Sequence, residues 1–185
     1  MRVVGVNGSG RLDGNTAVLV KAVLEGAAES GAETDFMQVA RMEIAGCNGC
    51  RACKEDQRCV IQDDMYRFYD VAGQADVLVL GSPIYLDHAT AQMKAFLDRL
   101  YCYIGPRMEN CYPHKGARAV LCITYGAFDM GVYKPVLDWM KGRLKGYWGI
   151  ETIETFTAHG TAHEPIIGPD EPLVRRARQF GRDLY

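Results

Sequence analysis

The stretch Arg2-Val-Val-Gly-Val-Asn-Gly-Ser9-Gly-Arg11-Leu-Asp-Gly-Asn15-Thr16 is typical of a strand, a glycine-rich turn and the start of a helix. The strand is apolar, and apolar residues recur at helical spacing after Thr16. Glycines let a backbone approach a ligand closely, and a helix start offers unpaired amides and a positive dipole end. Because Ser9, Arg11, Asn15 and Thr16 add side-chain donors, the turn predicts a phosphate site.

The turn lacks the two common nucleotide fingerprints. No Lys-Ser or Lys-Thr pair follows its glycines as in a Walker loop, which disfavours hydrolysis of ATP or GTP. The glycines also miss the Gly-x-Gly-x-x-Gly spacing of dinucleotide-binding folds. A monophosphate such as that of FMN fits this turn best. The alternative is a glycine-rich helix cap that binds nothing.

Strand and helix patterns alternate along the rest of the chain. Strands are predicted at 3–6, 34–39, 77–80, 119–124 and 150–157, and helices at 15–30, 64–74, 90–103, 131–146 and 171–184. This alternation predicts a doubly wound α/β fold with a parallel sheet and helices on both faces. The third strand is continuously apolar, as expected at the centre of such a sheet. Ligands bind at the carboxyl ends of the strands in these folds, where the glycine turn lies.

Composition narrows the class of protein. The 185 residues, 48% of them hydrophobic and 24% charged, predict one domain spanning 1–185. A net charge of −2 and the lack of a basic tract argue against nucleic-acid and membrane partners. We expect a cytoplasmic location, because no apolar signal region follows the amino end and no run is long enough to cross a bilayer. The odd number of cysteines, seven, argues against a disulfide scaffold.

Four of the cysteines fall within thirteen consecutive positions, in a predicted loop over 46–62 between the second strand and the second helix. Cys47, Cys50, Cys53 and Cys59 are separated by two, two and five residues. Three or four thiolates at this spacing are typical of an iron-sulfur cluster held by one loop. Structural zinc is the second interpretation, and a set of reduced thiols or a single disulfide is the third.

The ends of two further strands carry residues suited to a flat ligand. Gly81-Ser-Pro83-Ile84-Tyr85-Leu86 follows the third strand, and Tyr125-Gly126 follows the fourth. Aromatic and proline residues next to a phosphate turn predict contacts with an isoalloxazine ring. The predicted cofactor contacts at these two ends are Pro83, Ile84, Tyr85, Leu86, Tyr125 and Gly126.

Two histidines lie beyond the last predicted strand. His159 and His163 are four positions apart, but Gly160 and Pro165 argue against the continuous helix that a metal pair would need. We expect them in a loop at the rim of the flavin site.

Taken together, three segments resemble the iron-sulfur flavoprotein branch of the flavodoxin-like, NADPH-dependent FMN reductase superfamily. They are Gly8–Thr16, the cysteine run leading to Asp63-Asp64-Met65, and Gly81–Arg99. The similarity covers most of the chain and is most specific up to about residue 126; Gly10 stands where the family often has proline. The resemblance implies a flavodoxin-like five-stranded sheet in the order 2-1-3-4-5 and noncovalent FMN. It also implies a [4Fe-4S] cluster on the cysteine loop and a homodimer or homotetramer.

The expected function is an FMN-binding oxidoreductase that needs no catalytic side chain, because cluster and flavin carry the chemistry. A ferredoxin-like one-electron carrier would reduce the cluster, which would reduce FMN and then a small acceptor such as oxygen, peroxide or a quinone. Arg51, Lys54 and Arg58 of the loop are candidates for docking an acidic carrier. One alternative is a NAD(P)H-dependent FMN or quinone reductase without a cluster. Another is a flavin- or metal-dependent redox sensor.

Overall fold

A computed structural model describes residues 1–161 and 167–184, so His163 lies outside the described residues. Its sheet contains five parallel strands in the order β2-β1-β3-β5-β6. They are β1 (Arg2–Asn7), β2 (Glu33–Gln38), β3 (Val77–Tyr85), β5 (Arg118–Thr124) and β6 (Glu151–Ala158). A short strand β4 (His88–Ala89) turns back antiparallel onto the end of β3. The predicted order 2-1-3-4-5 is therefore confirmed, with the β3–β4 hairpin as an addition.

Helices connect the strands in the predicted alternation. They are α1 (Asn15–Glu29), α2 (Cys53–Asp56), α3 (Tyr66–Ala72), α4 (Ala91–Arg99), α5 (Lys134–Trp148) and α6 (Pro172–Arg182). Helix α4 is shorter than predicted, because the chain continues from Leu100 to Tyr103 as a 3-10 turn. Helix α2 was not predicted and lies inside the cysteine loop. None of the helices in the described residues is long and apolar enough to span a membrane.

The sheet separates two apolar layers. Helices α3, α4 and α5 pack on one face, and α1 and α6 pack on the other. The central strand β3 is buried from Val77 to Ile84, and only Tyr85 at its carboxyl end is exposed. Burial on both faces explains why this strand is continuously apolar in the sequence.

Helices α1 and α6 approach each other at two glycines. A Cβ atom on Gly26 would lie 1.9 Å from the carbonyl oxygen of Arg178, and one on Gly181 would lie 2.2 Å from that of Val23. Arg178 and Arg182 form ion pairs with glutamates of α1 beside this contact. The arginines of the last helix thus support packing within the chain.

We expect Gly26→Ala to lower the free energy of unfolding by about 2 kcal/mol, because backbone must move to admit the methyl group. Gly142→Ala in α5 is the matched control, since a Cβ there meets no atom within 4 Å. It should raise the free energy of unfolding by up to about 1 kcal/mol through helix propensity. Urea unfolding of both variants measures the difference, and equal effects would contradict the close contact.

Candidate functional site

A cavity of about 290 Å³ opens at the carboxyl ends of β1, β3 and β5. Nine of the ten predicted cofactor contacts line it, and Gly14, Thr124 and Thr161 complete the wall. The lining residues are Ser9, Arg11, Gly14, Asn15, Thr16, Pro83, Ile84, Tyr85, Thr124, Tyr125, Gly126 and Thr161. The three predicted segments, far apart in sequence, therefore meet at one pocket.

The glycine turn is held in place by its neighbours. Asn7 Oδ1 accepts a hydrogen bond from the amide of Ser9 at 3.2 Å, and Ser9 Oγ accepts one from the amide of Arg11 at 3.1 Å. The Gly8 carbonyl accepts a hydrogen bond at 2.8 Å from the Thr90 hydroxyl, which belongs to the residue preceding α4. The turn is thus shaped by the protein itself before any ligand enters.

The start of α1 is suited to an anion. Its N-cap residue is Gly14, so no side chain satisfies the amides of the first turn. The Thr16 and Thr124 hydroxyls share a buried hydrogen bond of 2.7 Å that joins α1 to β5. Asn15 Oδ1 accepts a hydrogen bond from the amide of Ile167 at 2.8 Å. With the exposed guanidinium of Arg11 beside them, these amides fit a terminal phosphate.

A two-residue hairpin forms one rim of the pocket. Leu86 and Asp87 both have positive φ angles, 44° and 61°, although neither is glycine. The side chain of Asp87 raises the pKa of the Tyr133 hydroxyl, so the hairpin lies near the start of α5. Tyr85 is 54% exposed and lines the pocket, whereas Leu86 is fully exposed at the hairpin tip and does not line it.

Tyr125 forms a rigid wall on the opposite side. Its ring is buried, and its hydroxyl donates a 2.8 Å hydrogen bond to the carbonyl of Met130. The ring packs edge-on against Tyr133 at 5.0 Å between centroids, and His159 lies 6.4 Å away. Burial raises the pKa of the Tyr125 hydroxyl, so that group stays neutral at physiological pH. His159 does not line the pocket and lies beside its Tyr125 wall, so its expected place at the rim of the flavin site stays a prediction.

Three lining residues were missed from the sequence, and each had a positional signal. Gly14 is part of the glycine turn, and Thr124 is the last residue of β5. Thr161 follows β6, and its amide and hydroxyl both donate to the Tyr125 carbonyl at 3.1 Å. The rule that ligands lie beyond the carboxyl ends of strands applies to all three positions.

The cysteine loop exposes two of its thiols and buries the other two. Cys47 and Cys50 are exposed, whereas Cys53 and Cys59 are buried. In residues 1–161 and 167–184, no three His, Cys, Asp or Glu side chains form a group that could hold a metal ion. The assignment of these cysteines as metal ligands stays a prediction.

The charges of the loop thiols act on one another. Burial is the main cause that raises the pKa of Cys53, and negative charge on Cys59, Cys47 and Cys50 raises it further. The Lys54 ammonium opposes this shift. Four thiolates in one loop therefore repel each other, and a bound metal centre would relieve that repulsion. The donor set fits an iron-sulfur cluster and also fits zinc.

Comparison with known proteins identifies the family. The model of the NADPH-dependent FMN reductase family matches residues 1–141. An iron-sulfur flavoprotein of Archaeoglobus fulgidus is 32% identical over 189 aligned positions, which cover 100% of this chain and 79% of that protein. The chain belongs to this family, in its iron-sulfur flavoprotein branch.

Two further proteins are similar to this member of the FMN reductase family. An iron-sulfur flavoprotein of Methanocaldococcus jannaschii is 42% identical over 99 residues, or 54% of this chain. That match spans only 51% of the relative, so the chain matches about half of its length. The solved NAD(P)H:quinone oxidoreductase from Methanothermobacter marburgensis has a TM-score of 0.75 and 18% identity, covering 100% of this chain and 96% of that one. At this identity the structural likeness shows the fold.

A buried ion pair closes the cysteine loop of this family member. The Arg99 side chain is fully buried, and its guanidinium donates to both carboxylate oxygens of Asp63, at 2.5 and 3.1 Å. It also donates to the carbonyls of Ala45 at 2.9 Å and Ile61 at 3.0 Å. Arg99 therefore ties together the two ends of the loop. Asp98, its neighbour in the sequence, pairs instead with Lys94 on the helix surface.

The contacts that hold Asp63 favour its ionised form. Burial opposes the charge of Asp63, but hydrogen bonds from Arg99 and from the amides of Ala45 and Met65 outweigh it and lower the pKa of this group. The ionised form therefore stabilises the fold fully above the ordinary carboxyl pKa of about 3.9. This contribution is lost as the pH falls from there toward the lowered folded-state pKa.

Two of the three loop cations are engaged within the chain. The Lys54 Nζ donates to main-chain carbonyls, and Arg58 pairs with Asp70 at 2.8 Å while lying over the Tyr66 ring. Arg51 is exposed and has a φ of 63°. Docking of an acidic carrier by these three cations stays a prediction.

We expect Asp63→Asn to lower the free energy of unfolding at pH 7 by about 3 kcal/mol, because it leaves a buried guanidinium without its counter-charge. Asp98→Asn, which breaks an exposed pair on the same helix as Arg99, should cost under about 0.5 kcal/mol. Urea unfolding between pH 7 and pH 3 provides the test. The difference in free energy of unfolding between wild type and Asp63→Asn should become smaller below about pH 4. A difference that does not change with pH would contradict an ionised Asp63.

Proposed function

We propose that this chain binds FMN noncovalently in the pocket beyond β1, β3 and β5 and a [4Fe-4S] cluster on the cysteine loop. It would then act as an electron-transfer oxidoreductase. When bound, the cluster supplies one-electron transfer and the flavin supplies one- or two-electron transfer. The main support is that nine predicted flavin contacts line one pocket. In addition, four thiols share one loop whose ends are joined by the Arg99–Asp63 ion pair. The named iron-sulfur flavoprotein relatives agree with this interpretation.

The pocket residues divide into two groups by chemistry. Ser9, Arg11, Asn15 and Thr16 offer donors and charge for the FMN phosphate around the free amides of α1. Pro83, Ile84, Tyr85, Tyr125 and Gly126 line the rest of the pocket and would hold the flavin ring. The exposed Leu86 lies outside the pocket at the hairpin tip, which makes its role as a flavin contact the weakest of the ten.

The metal ligands we assign are Cys47, Cys50, Cys53 and Cys59. Two of these thiols are exposed, so the cluster would lie at the surface, where a carrier protein can reach it. A ferredoxin-like carrier is the donor we propose, and a small oxidant such as oxygen, peroxide or a quinone is the acceptor. The chain would work as a single domain within a homodimer or homotetramer.

A second candidate is a NAD(P)H-dependent FMN or quinone reductase. The family description and the fold of the Methanothermobacter marburgensis quinone oxidoreductase favour it. Tyr85, which lines the pocket, is 54% exposed, so the pocket is open to solvent beside this ring. Rapid anaerobic bleaching of the bound flavin by NADPH would support this candidate.

Arg11→Gln should weaken FMN binding about tenfold, because it removes one charge-assisted contact to the phosphate. Riboflavin, which lacks the phosphate, should bind the variant and the wild type equally. Lys21→Gln removes a cation that pairs with Asp13 and does not line the pocket, so its FMN affinity should not change. Fluorescence titration measures these five affinities. If Arg11→Gln weakened the binding of FMN and riboflavin equally, Arg11 would not contact the phosphate.

The anaerobically purified chain should contain about four irons and four acid-labile sulfides beside one FMN, with an EPR signal on reduction. Cys53→Ala should lose this iron and keep FMN. Cys111→Ala, at a half-buried thiol outside the loop, should keep both. FMN without iron, even after reconstitution, would contradict the cluster. Zinc in place of iron would do so as well.

A further inference from the structure

Helix α2 carries Cys53 but has only four residues, too few to be stable by itself. Its N-cap residue makes no side-chain hydrogen bond, and Gln57 ends it with a φ of 51°. Lys54 provides an anchor. Its Nζ donates hydrogen bonds to the main-chain carbonyls of Tyr101, at 2.8 Å, and of Ile104. The ammonium also lies 3.4 Å from the centroid of the Tyr101 ring. These contacts fasten α2 to the turn that follows α4.

The charge of this ammonium is not neutralised by a carboxylate. Within the described ranges 1–161 and 167–184, Lys54 forms no ion pair, and its partners are two carbonyl oxygens and one aromatic face. Lys54 directly follows the buried Cys53 in the sequence, so its charge lies beside a buried sulfur.

The neighbouring arginines are placed differently. Arg58 is exposed and shares its charge with Asp70 at 2.8 Å. Arg51 is exposed on the loop. Among these three cations, Lys54 is therefore the one directed into the protein. It directly follows the buried Cys53.

We propose that Lys54 is a positioning residue for the thiol loop. It fixes Cys53 against the turn at 100–104 and holds one uncompensated positive charge beside the loop thiolates. The role of the charge rests on the proposed cluster, whereas the anchoring role does not. A fixed cation reduces the repulsion among four thiolates. It also favours the reduced, more negative state of a cluster, so its removal should lower the reduction potential.

The anchoring role is tested on the metal-free, reduced full chain with FMN present. Lys54→Met keeps an aliphatic stem but removes the charge and the donors, and Lys54→Arg keeps the charge. Lys145→Met removes a cation that pairs with Glu151 at the surface. Hydrogen exchange of the peptide at 51–59 should be about tenfold faster in Lys54→Met than in wild type. Lys54→Arg should exchange more slowly than Lys54→Met, and Lys145→Met should match wild type.

Exchange at 15–29, in α1, is the internal control for global unfolding and should not differ among the variants. Unchanged exchange at 51–59 in Lys54→Met would overturn the anchoring role. Faster exchange at both peptides would do the same, because it would indicate a general loss of stability.

The role of the charge is tested on iron-reconstituted protein by EPR-monitored redox titration. The midpoint potential should fall in Lys54→Met and stay near the wild-type value in Lys54→Arg and Lys145→Met. Equal potentials in Lys54→Met and wild type would overturn the role of the charge. A wild-type chain that takes up no iron contradicts the proposed cluster instead, and the exchange experiment still decides the anchoring role.

Discussion

The cysteine loop depends on the ion pair between Arg99 and Asp63. Apart from the four residues of α2, this segment has no regular secondary structure, so its path is set largely by where its ends are held. Burying a guanidinium and a carboxylate is costly unless further hydrogen bonds compensate, and of the polar atoms of this pair only the Nε of the Arg99 guanidinium lacks a partner within the described residues. Here the Arg99 guanidinium reaches two main-chain carbonyls as well as Asp63, and Asp63 also accepts from two amides. The pair therefore joins the two ends of the loop to each other and to α4.

Helix α4 connects the two candidate cofactor sites. At its start, the Thr90 hydroxyl accepts from the amide of Met93 and donates to the carbonyl of Gly8 in the glycine turn. The Thr90 amide also donates to Ser82 Oγ in β3. At its end, Arg99 holds the cysteine loop. At 1.5 Å per residue the two ends are about 14 Å apart. One short rigid helix thus sets the geometry of both sites within a chain.

Features that follow from local pattern could be predicted from the sequence. The alternation of strands and helices, the glycine turn and nine pocket residues follow from apolar periodicity and from the position of strand ends in a parallel sheet, whereas the strand order was implied by the family resemblance. The β3–β4 hairpin was missed because a two-residue turn of this kind is usually signalled by glycine or asparagine. Here Leu86 and Asp87 adopt the left-handed conformations instead. Helix α2 was missed because it depends on the contact between Lys54 and Tyr101, 47 positions away.

The partner of Arg99 was missed for the same kind of reason. Asp98 and Arg99 are adjacent in sequence, but successive helix positions point in different directions, so each finds a separate partner. Asp98 bonds one turn back to Lys94 on the helix surface, while Arg99 is directed inward to the cysteine loop. A tertiary ion pair 36 positions apart leaves no periodic signal in one sequence.

The two sites are also held by different kinds of force. Hydrogen bonds accepted by the side chains of Asn7 and Ser9 and donated by the Thr90 hydroxyl shape the glycine turn at the edge of the sheet, and none of them involves the cysteine loop. The thiol loop is fixed at its ends by Arg99 and in its middle by Lys54, while Cys47 and Cys50 remain exposed between these points. If the proposed function holds, the pocket would therefore retain flavin when the cysteine loop holds no metal.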